Sequence, residues 1–201
     1  MFFSFGSPDS KFSQGMETFA DAVWLTILMV ITSIPLITIG ASLSAGHDAA
    51  RRIEQGEGHI TAAYFRAFAS NFLESTIIWA VMGPVLLAII WLWIAVWPIA
   101  LLVPKFILSI LWIIMAEWVF ALQARFSNSL GKTIINSLIF GVSYWVTTLS
   151  MVIMDVLFVI LIIASIIYLP QGLPLLVFMG WGSLIMFHEF LLEKVFAKYV
   201  K

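Results

Sequence analysis

The sequence predicts an all-α membrane protein, a single domain over residues 1–201 built as a polytopic bundle of about five transmembrane helices. Hydrophobic residues make up 62% of the chain, charged residues only 10%, and the mean hydropathy is +1.07. A soluble domain has roughly 25% charged residues, so this chain lacks the polar surface to enclose a water-soluble core. The net charge of −1 excludes a basic nucleic-acid-binding face.

The apolar runs define the predicted spans. A helix needs about 20 mostly apolar residues to cross a bilayer, and five runs are long enough: residues 22–39, 76–97, 106–123, 145–168 and 173–190. The short connections after the second and fourth runs contain Pro or Gly, which favours tight helical hairpins. Residues 1 to about 20 are predicted to lie at the membrane interface as a lead-in.

The stretch 133–168 is too long for one straight span and too short for two. We therefore predict that residues 133–144 form an amphipathic interfacial helix, and that the chain turns into the membrane near Trp145.

The basic residues predict the orientation. Eight of the ten Lys and Arg residues fall in segments 40–75, 124–144 and 191–201, which five spans place on one side. Positive residues are retained on the cytoplasmic side. The N-terminus is therefore predicted outside and the C-terminus inside.

Two nonapeptides resemble each other at a constant offset. Residues 70–78 read SNFLESTII and residues 127–135 read SNSLGKTII, with six of nine positions identical. Ser and Asn are favoured N-cap residues, so Ser70, Asn71, Ser127 and Asn128 are predicted to cap the helices that follow. The echo fits either two similar caps that arose by convergence or a parallel duplication of spans two–three and four–five.

Several motifs resemble the YesL-like family of multi-pass membrane proteins, whose domain has no assigned function. They are the TIGAS turn and the F-x-x-F-x-x-N-F entry within residues 33–81, the ARFSNSLGKT segment within 122–138, and the ending FLLEKVFAKYV. The resemblance implies a bacterial plasma membrane location and an accessory or regulatory role beside an ABC-type carbohydrate importer. The permease or ATPase subunits of that importer would be the partners.

Two acids stand inside predicted spans. Ionisable groups at membrane depth are costly and are functional candidates by default, which selects Glu117 and Asp155. Each acid could be a hydrogen-bonded structural group, a proton relay or a polar contact for a substrate. They support the alternative function, a small solute transporter or channel in its own right, which could act as a homo-oligomer.

The polar segments offer contacts for lipid or a partner. The stretch 42–57 has an apolar face and a charged face, so it could lie on anionic headgroups or dock into another protein. The basic residues expected to make such contacts are Arg51, Arg52, Arg66, Arg125 and Lys132.

Catalytic and metal motifs are missing from the sequence. There is no cysteine, and the three histidines do not form an H-E-x-x-H motif. We expect His188 and Glu189 to be interfacial residues at a helix end, and His47 and Asp48 to lie on a solvated face. The chain is therefore predicted to be non-enzymatic, with no catalytic residue, metal site or cofactor.

Overall fold

The computed structural model describes residues 11–200, with side chains from residue 15 onward, and this part of the chain is α-helical. The described helices are α1 (Lys11–Ser33), α2 (Ile39–Glu54), α3 (Ile60–Ala95), α4 (Leu102–Arg125), α5 (Leu130–Ser143), α6 (Trp145–Tyr168) and α7 (Leu173–Phe196). The all-α prediction is confirmed. The first half of the predicted interfacial lead-in lies outside the described residues, and from Lys11 onward the chain is already part of α1.

Five helical stretches are long and apolar enough to cross a membrane. They are Gly15–Ser33, Ile60–Ala95, Ile99–Arg125, Trp145–Tyr168 and Pro170–Phe196. Each overlaps one of the predicted spans, so the prediction of a five-span, multi-pass membrane protein is confirmed. The first helix ends at Ser33, earlier than predicted, because a residue that precedes proline is disfavoured in a helix and Pro35 follows closely.

Helix α2 lies in the interior of the bundle. Eleven of its sixteen residues are buried, and it packs against α1, α3, α4 and α7. Its small residues allow close approach, since a methyl group added at Gly40 would collide with the backbone oxygen of Ser75 in α3. The polar residues of α2 also find partners, as in the 2.8 Å hydrogen bond between the hydroxyls of Ser44 and Ser75. The prediction that segment 42–57 lies on a membrane or protein surface is therefore wrong for most of α2.

A hydroxyl network fixes α2 against its neighbours. The Tyr64 hydroxyl of α3 lies 2.6 Å from Thr32 Oγ1 of α1 and 3.0 Å from Ser42 Oγ of α2. Ser42 also donates to the Met29 carbonyl oxygen of α1. Tyr64 and Ser42 are fully buried, so all three helices share these bonds away from solvent.

Helix α3 is longer than its predicted span. Its 36 residues extend for about 54 Å at 1.5 Å per residue, which exceeds a hydrocarbon core of about 30 Å. Ser70 and Asn71 therefore lie within the helix, where both side chains donate to the Ala67 carbonyl oxygen. Their predicted role as N-caps is wrong, because the helix begins ten residues earlier at Ile60.

The break between α5 and α6 confirms the predicted bend next to Trp145. Tyr144 separates the two helices with φ −109° and ψ 46°. Ser127 and Asn128 precede α5, but its N-cap position is Ser129, whose side chain makes no capping bond. Their N-cap prediction is also wrong. The two similar nonapeptides thus adopt different structures, one inside α3 and the other from the α4–α5 connection into α5.

Candidate functional site

Three ionisable side chains from three helices meet inside the bundle. Glu117 comes from α4, Asp155 from α6 and His188 from α7. His188 Nε2 lies 3.2 Å from Asp155 Oδ1, and His188 Nδ1 lies 3.8 Å from Glu117 Oε2. The imidazole therefore stands between two carboxylates, with one ring nitrogen turned toward each. We call Glu117, Asp155 and His188 the acid–histidine cluster.

The cluster borders a cavity of about 440 Å³. The rest of the wall is mainly apolar and aromatic, and it includes His47, Trp112, Phe120 and Trp181. The Glu117 side chain is only 6% exposed, whereas that of Asp155 is 40% exposed. Asp155 is thus the member of the cluster that lies toward the outside of the bundle.

Close helix contacts place the three side chains. At the α1–α7 crossing, the Gly182 N–H donates to Thr26 Oγ1 at 2.8 Å. Between α6 and α7, a methyl group at Gly180 would collide with the Phe158 ring. Small residues at such positions let helix backbones approach closely. They bring α7, and with it His188, against its neighbours.

A bond between two side chains holds α4 against α6. Trp118, the residue after Glu117, is fully buried and donates through Nε1 to Thr148 Oγ1 at 2.8 Å. This contact lies two turns before Asp155 on α6, so it helps to position both carboxylates of the cluster.

A second buried pair of ionisable groups lies beside the cluster. His47 Nδ1 of α2 is 3.0 Å from Glu189 Oε2 of α7, and the two residues are 142 positions apart in the sequence. His47 is 8% exposed and Glu189 is 3% exposed. His47 also lines the cavity, so this pair and the cluster border the same space.

The predictions for the histidines and their neighbours are wrong. His188 and Glu189 are not interfacial residues at a helix end, because both are buried and α7 continues to Phe196. His47 and Asp48 are each only 8% exposed, so they do not form a solvated face. The apolar context of residues 173–190 already marked His188 as an ionisable group at membrane depth, which is the rule that selected Glu117 and Asp155.

Most of the basic residues expected to contact lipid or a partner are engaged within the chain. Arg51 and Arg52 both pair with Asp48, at 2.7 and 2.8 Å. Arg125 of α4 pairs with Glu193 of α7 at 2.9 Å. The remaining two, Arg66 and Lys132, have exposed side chains, so they keep the surface position that the prediction requires.

The end of α2 carries a perturbed carboxyl group outside the five candidate spans. Partial burial, and after it the negative charges of Glu189 and Glu193, raise the pKa of Glu54 to about 7. These two acids are themselves paired, with His47 and Arg125 respectively. Glu54 is thus a carboxyl group at this end of the bundle whose charge changes near neutral pH.

The donor set of the cluster defines what it can bind. The cluster offers three donor atoms, a ring nitrogen of His188 and one carboxylate oxygen each from Glu117 and Asp155. These atoms lie within 4.8 Å of one another. Such a set can hold protons or coordinate a cation. The sequence matches no family model, no curated protein and no solved structure. The resemblance to the YesL-like family therefore stays a prediction.

Proposed function

We propose that this protein is a membrane transport protein in its own right, and that a small cation, a proton included, binds at the acid–histidine cluster on its way through the bundle. The observation that carries the proposal is the convergence of Glu117, Asp155 and His188 on one cavity between membrane-spanning helices. Two carboxylates and an imidazole placed there need compensating charge, which protons or a bound cation supply.

The cluster extends from the edge of the bundle into its interior. Glu117 is enclosed, whereas Asp155 is partly exposed on the side of α6. Aromatic side chains at Trp112, Phe120 and Trp181 form much of the wall, and an apolar wall restricts access by water and thereby strengthens the interaction of a cation with the carboxylates.

An accessory role beside a carbohydrate importer is the second candidate. It is supported by the motifs of residues 33–81 that resemble the YesL-like family, and this resemblance also implies a bacterial plasma membrane. The N-outside orientation predicted from the basic residues and the non-enzymatic character predicted from the missing motifs fit the same role. Arg66 and Lys132 are the exposed basic residues suited to contact a permease or ATPase subunit. Purification of the protein in mild detergent tests this role. Importer subunits that remain bound at near-stoichiometric levels would favour the accessory role. Recovery of the protein alone, as a monomer or homo-oligomer, would favour the transporter.

Flux measurements in proteoliposomes test the transporter. The purified chain is reconstituted, and fluxes of protons, alkali cations and divalent cations are followed with dyes trapped in the lumen. We expect flux of at least one cation, and its loss in the Glu117→Gln, Asp155→Asn double variant, because amides cannot exchange a proton or balance a cation. Glu17→Gln is the matched control, since it makes the same change at an exposed acid of α1 that does not line the cavity.

Two results would overturn the proposal. One is the lack of flux above empty liposomes for every cation in the panel. The other is a flux that the double variant and the Glu17→Gln control retain equally, which would remove the cluster from the pathway.

A further inference from the structure

We propose that the acid–histidine cluster is a binding site for a divalent transition-metal cation, with Glu117, Asp155 and His188 as ligands and the fourth position of a tetrahedral site left to water or a transported group. This inference rests on the proposed transport function, because it names the class of cation that is transported. The donor atoms and their spacing support the binding site itself.

The spacing of the donor atoms fits coordination. Metal–nitrogen and metal–oxygen bonds of about 2.0–2.2 Å place neighbouring ligands of a tetrahedral site roughly 3.4 Å apart. His188 Nε2 and Asp155 Oδ1 are 3.2 Å apart, close to that value. The three donor atoms lie within 4.8 Å of one another, so the Glu117 carboxylate, which faces Nδ1 of His188 at 3.8 Å, must move inward to complete the set.

A buried nitrogen without a hydrogen bond is the second observation. His188 is 6% exposed, and its Nε2 makes no hydrogen bond despite the nearby Asp155 carboxylate. Buried polar groups are almost always hydrogen-bonded, so each exception calls for an explanation. A metal ion bound by both Nε2 of His188 and the Asp155 carboxylate would give this buried nitrogen the partner that it lacks.

Charge and donor type select the metal class. Two carboxylates carry a charge of −2, and a divalent cation bound with the neutral imidazole of His188 makes the cluster electrically neutral at membrane depth. Imidazole ligands suit zinc, copper, iron and nickel, whereas magnesium and calcium prefer oxygen donors alone. The site is therefore expected to take a cation such as Zn²⁺ or Co²⁺ and to discriminate against Mg²⁺ and Ca²⁺.

Cobalt titration tests the site independently of transport. The full chain, purified in detergent with a tag that lacks histidine and stripped with a chelator, is titrated with Co²⁺ while the visible absorption is recorded. We expect one equivalent of Co²⁺ with the spectrum of a four-coordinate site, displaced by Zn²⁺ and unaffected by millimolar Mg²⁺ or Ca²⁺.

Variants assign the ligands. His188→Gln and Asp155→Asn should each remove stoichiometric binding, because each takes away one of the three protein ligands. His59→Asn is the matched control, because His59 is exposed and adopts φ 65°, which asparagine tolerates. Asp155 is 40% exposed, so its variant tests the site even where a change at the buried His188 disturbs folding.

The outcomes separate the two proposals. The metal site is overturned if Co²⁺ fails to bind stoichiometrically, or if binding survives both His188→Gln and Asp155→Asn. Proton flux that depends on the cluster, without metal binding, keeps the transporter and removes the metal. Metal binding without flux of any cation keeps the site and removes the transporter.

Discussion

The crossing of α1 and α7 supplies a prediction whose magnitude follows from the packing. In Gly182→Ala, the added methyl group would overlap the carbonyl oxygen of Ala22 and lie 2.6 Å from Thr26 Oγ1 and 2.9 Å from the Thr26 nitrogen. Two of these three atoms belong to the backbone of α1, so a side-chain rotation cannot relieve the overlap. The two helices must separate.

Three effects set the size of the change. Overpacking costs about 1–3 kcal/mol, and loss of the Gly182–Thr26 hydrogen bond costs about 0.5–1.5 kcal/mol. The higher helix propensity of alanine returns about 1 kcal/mol. The two unfavourable effects together are larger than the favourable one, and we expect a loss of about 2 kcal/mol in the free energy of unfolding. For a chain of this size that corresponds to a fall of about 4–8 °C in Tm.

Thermal unfolding in detergent micelles, followed by near-UV circular dichroism, measures the effect. Gly131→Ala is the matched control, because Gly131 lies in α5 with nothing within 4 Å of the added methyl group. Its Tm should stay the same or rise slightly. A Gly182→Ala protein as stable as the wild type would refute the reasoning, since it would mean that α1 and α7 do not meet at this point.

Two further predictions concern a buried hydrogen bond and a perturbed carboxyl group. Thr148→Val keeps the side-chain shape but leaves the buried Trp118 N–H without its acceptor, so it should lower the free energy of unfolding by about 1–3 kcal/mol, measured by thermal unfolding. Thr148→Ser keeps the hydroxyl and should lower it less. Equal losses in the two variants would contradict the role of the bond. The pKa of Glu54 is raised to about 7 in the folded protein by burial and by Glu189 and Glu193, so the folded state holds this proton more tightly than the unfolded state. Ionisation of Glu54 therefore destabilises the fold as the pH rises from about 4.5 to about 7. Glu54→Gln removes this charge, so it should raise Tm at pH 8 and leave Tm unchanged at pH 4. The same increase in Tm at both pH values would show that the charge is not responsible.

Local properties of the sequence determined the membrane class and the number of spans. The free energy of placing a helix in a bilayer depends on the apolar side chains of that helix, so the composition of a run such as 145–168 is enough to predict a membrane span. The bend at Tyr144 was also predictable, because the run from 133 to 168 has the wrong length for one or two spans. Glu117 and Asp155 stood out for the same reason, as charges inside apolar runs.

Tertiary structure alone decided the position of α2 and the composition of the site. The polar residues of α2 resemble those of a surface helix, and only their partners on other helices, such as Ser75 for Ser44, make its burial possible. His188 joins two acids from other helices, and His47 meets Glu189 across 142 residues. A hydropathy profile contains no term for such pairs, because the stabilisation of a buried polar group depends on which group faces it in space.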